Sequence, residues 1–221
     1  MNRGDLAEAL ISQSFDLIED EGPEALSLGR LHERMKGAVS KTAPLHHFGS
    51  MAGLYAAVAA QGFDNLTELL ARKRESLPPS RRLIGEIAVT YGRFALEHEN
   101  LYRTLHLPLV WTAAEAAANA SAGVGAGGKE RADRAWLREV EEARDRTFTE
   151  FVFAVQLGQA AGALRRDAVP RDIARVVTAL VDGYLFQILV ERVSAVNPLA
   201  ELSGYVRLAI NGLGQRRRPK T

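Results

Sequence analysis

Ala25-Leu26-Ser27-Leu28-Gly29-Arg30-Leu31 and, shortly after it, Val39-Ser40-Lys41-Thr42-Ala43-Pro44-Leu45-His46-His47-Phe48-Gly49-Ser50 are the segments on which the fold turns. Ser27 is a good N-cap, followed three residues later by Arg30 rather than a capping-box glutamate. A short helix over about 28–36 then puts Leu28, Leu31 and Met35 on one face, and Gly37 suits a left-handed helix end. Ser40 is expected to cap a second short helix, with Pro44 at about its fourth residue, where little hydrogen bonding is forfeited. Gly49-Ser50 breaks that helix and caps the next. Two short helices joined by a tight turn, behind a longer helix, are what a helix-turn-helix reader of DNA requires. On periodicity alone, the same three helices also suit many other all-α chains.

Working outward, residues 5–20 place Ala7, Leu10, Ile11, Phe15 and Ile18 on one helical stripe, which Gly22-Pro23 stops. A helix over 51–75 buries Leu54, Val58, Gly62, Leu66 and Leu69 or Leu70, and ends at Arg72-Lys73-Arg74, where cations complement the helix dipole. Leu77-Pro78-Pro79-Ser80 reads as a linker. Beyond it the periodicity predicts helices at about 80–98, 100–106, 109–121, 129–162, 170–195 and 199–213. The glycine-rich run from Ser121 to Gly128 reads as a loop. The expected fold is therefore all-α, with about nine to ten helices: a three-helix helix-turn-helix domain over 1–50, a connecting helix over 51–76, a larger helical bundle over 77–215 and a basic disordered tail over 216–221.

Composition narrows the class. The 221 residues are 47% hydrophobic and 25% charged, ample for a core and for solubility. No cysteine is present, which excludes disulfides and thiolate metal sites. No apolar run resembles a secretion signal or approaches the roughly 20 residues of a membrane span. The expected location is cytoplasmic, on the nucleoid when DNA is bound. Net charge is +1, yet residues 1–50 hold five basic residues against eight acidic ones, a local −3. Charge alone does not nominate this region for nucleic acid.

The ordered set of motifs over residues 5–70 resembles the DNA-binding domain of the TetR family. Ala25 to Leu31 looks like that family's entry into its second helix, Val39-Ser40 with Ala43 to Ser50 like its recognition helix and exit, and Leu54-Tyr55-Ala56-Ala57-Val58-Ala59 like its fourth helix. The Ala-Pro form of the recognition helix, and the segment from Tyr91 to Arg103, are similar to a subgroup with a WHG-type C-terminal domain. Thr178 and Asp182 stand where that subgroup has Trp and His, with the following Gly183 kept. Three positions depart from the family. Leu45 replaces a Tyr and Met51 a Lys, both usual phosphate partners, and Ala38 replaces a turn glycine. Losing two phosphate contacts lowers sequence-independent affinity.

The resemblance implies that Lys41, Thr42 and His46 meet base edges, and that Ser27, Ser40, His47, Ser50 and Arg3 contact phosphates. Each of the three serines also serves as a helix cap. The resemblance further implies a small-molecule pocket and a dimer interface in the larger domain. Tyr91, Phe94, His98, Tyr102, His106 and Trp111, closed by Phe148 and Phe151 with Trp136, Phe153 and Gln156, form the candidate effector site. The same spacing fits an ordinary aromatic core. Val177, Val181, Tyr184, Leu185 and Ile188, paired with Val206 and Ile210, are the candidate interface of a four-helix dimer bundle.

No catalytic, metal or cofactor site is expected. His98 and His106 are too far apart for a helical ligand pair, and no phosphate loop or nucleophile elbow occurs. The expectation is a ligand-responsive regulator, a repressor, that binds a palindromic operator in double-stranded DNA as a homodimer and is released by an unidentified small-molecule effector. The alternative is a helical ligand-binding or scaffold protein with the same fold and weakened or lost DNA binding.

Overall fold

Every stretch in which apolar residues recur at helical spacing forms a helix in the computed structural model, which describes residues 3–119 and 128–212. In chain order they are α1 (Arg3–Glu21), α2 (Leu28–Arg34), α3 (Ala43–Phe48), α4 (Met51–Glu75), α5 (Arg81–Glu97), α6 (Glu99–Leu105), α7 (Pro108–Asn119), α8 (Gly128–Ala160), α9 (Pro170–Leu189) and α10 (Pro198–Gly212). A single 3₁₀ turn, Pro23–Ala25, joins α1 to α2. No strand occurs among the described residues, so the fold is all-α. The basic tail at 216–221 and the expected loop at 121–127 lie outside the described residues. Gly128, expected in that loop, opens α8. No described helix is long and apolar enough to cross a membrane.

The chain forms two compact units: Met1–Asp64 with His98–Arg144, and Asn65–Glu97 with Asp145–Thr221. The Leu77–Ser80 linker thus falls inside the second unit, while the expected 1–50 domain lies wholly within the first.

In the first unit α1 buries Leu10, Ser14, Leu17 and Ile18, while Ala7, Ile11 and Phe15 are half-buried. From Gly53 to Ala60, α4 is buried on all sides. The buried Tyr55 hydroxyl donates to the carbonyl of Pro23 at 2.6 Å, pinning the 3₁₀ turn to α4. Burial, helped by Glu24, raises the pKa of this phenol. Gly62 permits the close passage of α6, since a Cβ there would sit 3.0 Å from Leu101 Cδ1 and 3.1 Å from Leu105 Cδ2.

Glu19 does most to fasten α6 to α1. Its Oε1 accepts the Leu101 amide at 3.0 Å, its Oε2 lies 2.8 Å from His98 Nδ1, and its carbonyl accepts from Asn100 Nδ2 at 3.0 Å. Arg103 pairs with Glu24 on the same side.

In the second unit α5 packs against α9 and α10. Leu83, Ile84, Ile87 and Phe94 are buried there, as are Ile173, Val177, Val181 and Leu185 of α9 and Leu202, Val206 and Ile210 of α10. Each such side chain contributes about 1.5–3 kcal/mol through area removed from water. Part-buried polar ties cross the same unit: the Tyr91 hydroxyl donates to Asp182 at 2.7 Å, and Arg74 Nε to Glu150 at 2.7 Å. α9 ends at Leu189 rather than near 195. After Val190 the chain turns away, with Arg192 at φ 60 and the Val193 amide donating back to the Gln187 carbonyl.

Candidate nucleic-acid interface

The geometry between Ser27 and Ser50 begins with a capped α2. Ser27 accepts the Arg30 amide at 3.3 Å in extended conformation, so its cap role is realised. The far end of α2 closes in a Schellman motif, with the Gly37 amide donating to the His32 carbonyl at 3.0 Å and Lys36 to Glu33 at 2.8 Å. Lys36 and Gly37 both adopt positive φ, 52 and 70. The left-handed residue at the helix end is therefore Lys36, one place earlier than the glycine predicted for it. His32 Nδ1–H donates to the Val39 carbonyl at 2.7 Å and holds the turn against α2.

The second short helix, α3, is shorter than its sequence promises. Ser40 does not cap it. The helix starts at Ala43, Thr42 is the N-cap residue without a side-chain cap bond, and Pro44 is the second helical residue rather than the fourth. The Ser40 carbonyl accepts the Ala43 amide at 3.0 Å, which places Ser40 and Lys41 in the turn before the helix. The physical reason is Pro44: it has no amide proton to donate to the Ser40 carbonyl four residues back, its ring would clash with that carbonyl in a longer helix, and it is best tolerated in a first turn. A six-residue helix is not stable alone; Pro44 and the fully buried Phe48 anchor it to the core.

Lys41, Thr42 and His46 are exposed together at α3, Ser40 is exposed beside them, and His47 is half-buried with its ring 6.2 Å from that of Phe48. Leu45 is half-buried. The side chain of Arg3 lies outside the described residues. Arg30 pairs with Glu21, and Arg34 with Asp20 at 2.5 Å, so the two arginines of α2 are already engaged by acids of α1.

Ser50 has a partner that sequence reasoning missed. It caps α4, its Oγ accepting the Gly53 amide at 3.0 Å, while its hydroxyl donates to Asp133 Oδ1 of α8 at 2.6 Å. One turn further along α8, Trp136 packs on Phe48 with ring centroids 5.4 Å apart. Asp133 is 83 residues from Ser50, and no local pattern signals such a contact.

The candidate effector residues fall into two groups. His98, Tyr102, His106 and Trp111 belong to the first unit, where Tyr102 is fully buried with its ring 4.5 Å from that of His106. Trp111 Nε1 donates to the Leu105 carbonyl at 2.8 Å, and the Arg144 guanidinium lies 4.3 Å above the indole. Tyr91, Phe94, Phe148 and Phe151 belong to the second unit, where Tyr91 and Phe151 meet edge to face at 6.3 Å. Phe148 lies instead under Arg171 and Arg175, at 5.0 and 5.6 Å. Phe153 and Gln156 are exposed.

The candidate dimer residues need correction. Val177, Val181, Leu185, Val206 and Ile210 are buried inside the chain and pack in the core of the second unit. Their stripe is the inner face of α9 and α10. Tyr184 and Ile188 remain partly accessible, and the exposed apolar side chains are Val176, Phe186, Tyr205 and Leu208. The sequence shows that α9 is apolar on most of its circumference but does not show which half its own chain covers.

No family model and no curated protein matches the chain. Solved structures do. A protein of unknown function from a Rhodococcus species is 23% identical, with 95% of each chain covered and a TM-score of 0.68. The TetR-family transcriptional regulator PfmR from Thermus thermophilus is 16% identical, with 93% of this chain and 99% of that one covered and a TM-score of 0.61. A bacterial regulatory protein of the tetR family from Rhodococcus is 12% identical, with 96% and 98% covered and a TM-score of 0.61. With its helix order, capped helix-turn-helix and near-complete overlap with these structures, the chain has the fold of the TetR-family transcriptional regulators.

Proposed function

We propose that the chain is a transcriptional regulator of the TetR type, a repressor that binds a palindromic operator as a homodimer and leaves it when a small molecule binds. The observation that carries this is the α2–turn–α3 arrangement, which exposes Lys41 of the turn, the N-cap Thr42 and His46 of α3 together, with Phe48 anchoring the helix from behind. Lysine donates to guanine O6 or N7, and threonine hydrogen-bonds or presses its methyl on thymine. Phosphate grip rests on Ser40, His47 and helix N-termini, because Arg30 and Arg34 are held by Glu21 and Asp20. The test is a footprint on the DNA upstream of the protein's own gene, weakened by Lys41→Ala and Thr42→Ala. No salt-sensitive binding at low ionic strength would instead favour a scaffold that shares the fold and has lost DNA.

For the dimer, we assign the interface to the outer faces of α9 and α10. Leu208 is 71% exposed and Val176 52%. Beside them a groove of about 400 Å³ is lined by Leu180, Tyr184, Ile188, Val193 and Tyr205. A second copy packing its own α9 and α10 there would complete a four-helix bundle and space two recognition helices for a palindrome. Sedimentation is expected to give twice the 24.1 kDa chain mass, and Leu208→Glu to give the monomer. A monomeric wild type at micromolar concentration would refute the interface.

The effector is expected to engage aromatic and polar groups of α6 and α7, with Tyr102, His106 and Trp111 the foremost candidates. A ligand that raises the melting temperature and releases DNA, with both effects lost in Trp111→Ala, would support this.

A further inference from the structure

Ser50 has one hydroxyl proton, and the structure shows where it goes. Its Oγ accepts the Gly53 amide at 3.0 Å and donates to Asp133 Oδ1 at 2.6 Å. The approach of Asp133 is close enough to constrain the helix beneath it: a Cβ on Gly53 would lie 2.8 Å from the same carboxylate oxygen and 2.0 Å from the Phe48 carbonyl oxygen. Trp136, one turn further along α8, packs on Phe48. Two points of α8 therefore hold the junction between the recognition helix and α4.

The N-terminus of a 25-residue helix attracts an anion, because its first amides lack intrahelical partners and its dipole is positive there. A DNA phosphate would take that place in the proposed complex. Here a carboxylate of the same chain already lies beside it, bonded to the capping hydroxyl of Ser50. A phosphate oxygen is only an acceptor, so it competes with Asp133 for the Ser50 proton. Its charge also meets the carboxylate.

Resting on the proposed DNA-binding function, we propose that Asp133 is an autoinhibitory contact: α8 holds its carboxylate at the start of α4, and full DNA affinity requires that contact to open. The position of the first turns of α8 thereby sets DNA affinity.

The test is fluorescence anisotropy on two labelled duplexes, one from the region upstream of the gene and one of random sequence, at low ionic strength. Asp133→Asn keeps an acceptor for Ser50 and removes the charge. For charges about 6 Å apart in water-like surroundings, that is worth about 3-fold in affinity per protomer and about 10-fold for a dimer. Asp133→Ala also frees the hydroxyl and should bind tighter still. Ser50→Ala should weaken binding by several-fold more in the Asp133→Ala background than in the wild type, a coupling that a purely structural tie would not produce. Melting curves establish that each variant is folded, and Asp133→Asn supplies the conservative case should Asp133→Ala unfold. If the wild type binds and Asp133→Asn binds no tighter, the autoinhibitory contact is refuted and DNA binding stands. Binding by the Asp133 variants alone supports both claims, and an absence of binding by every folded variant overturns both.

Discussion

Replacing Glu19 with alanine should loosen α6 from α1, and the structure allows the size of the effect to be worked out. The substitution removes the acceptors of the Leu101 amide at 3.0 Å and of His98 Nδ1 at 2.8 Å, while the Asn100 bond to the Glu19 carbonyl survives. Hydrogen bonds to charged groups are worth about 1.5–3 kcal/mol when well buried. The two side chains are 23% and 39% exposed, which screens the pair with His98. Losing the acceptor at the start of α6 resembles losing an N-cap, about 1 kcal/mol. The expected loss is therefore about 2 kcal/mol. For a chain of this length that lowers the melting temperature by about 4–8 °C, read by circular dichroism. Glu19→Gln still offers an oxygen to Leu101 and should lose about half as much. A Glu19→Ala melting point within about 1 °C of the wild type, or a Glu19→Gln loss as large as that of alanine, would refute the assignment.

Two further perturbations test the packing and the electrostatics. Gly53→Ala should destabilise by about 2–3 kcal/mol, although alanine is the better helix former, because its Cβ would overlap the Phe48 carbonyl; a raised melting temperature would contradict this. Glu201 accepts the amides of Asn197 and Val196 and the Tyr184 hydroxyl, and these bonds, the Asn197 amide foremost, hold its carboxyl below the usual range. Its stabilisation is thus present at neutral pH and lost as pH falls through the folded-state pKa. Glu201→Gln should flatten the acid limb of the stability curve, and an unchanged limb would show that the bonds do not form.

The helices were legible wherever an apolar stripe met a clear stop, as at Gly22-Pro23 and Phe48-Gly49-Ser50. The start of α3 is not legible in the sequence, because Ser40 has the chemistry of a cap and only the tertiary anchoring of Pro44 and Phe48 shows the helix beginning later. Nor could the sequence say which side of α9 faces inward: Val177 and Val181 carry the same apolar signal as Val176 and Phe186, and the choice depends on where α5 and α10 lie. The contacts that bear most on the proposed site were hidden for another reason. Glu19 meets partners 79 to 82 residues away and Ser50 meets one 83 residues away, and periodicity carries no information at that range. Lys41, Thr42 and His46, the positions that the resemblance links to base edges, are exposed.

The most direct test is DNase protection of the segment upstream of the gene by the full chain, with Lys41→Ala and Thr42→Ala alongside. The account predicts a protected palindrome whose occupancy falls with salt and whose sequence preference is relaxed in each variant, by about 1–3 kcal/mol per lost base contact. Protection that is absent at low salt, or unchanged when Lys41 and Thr42 are both removed, would contradict the claim that the turn and α3 together read DNA.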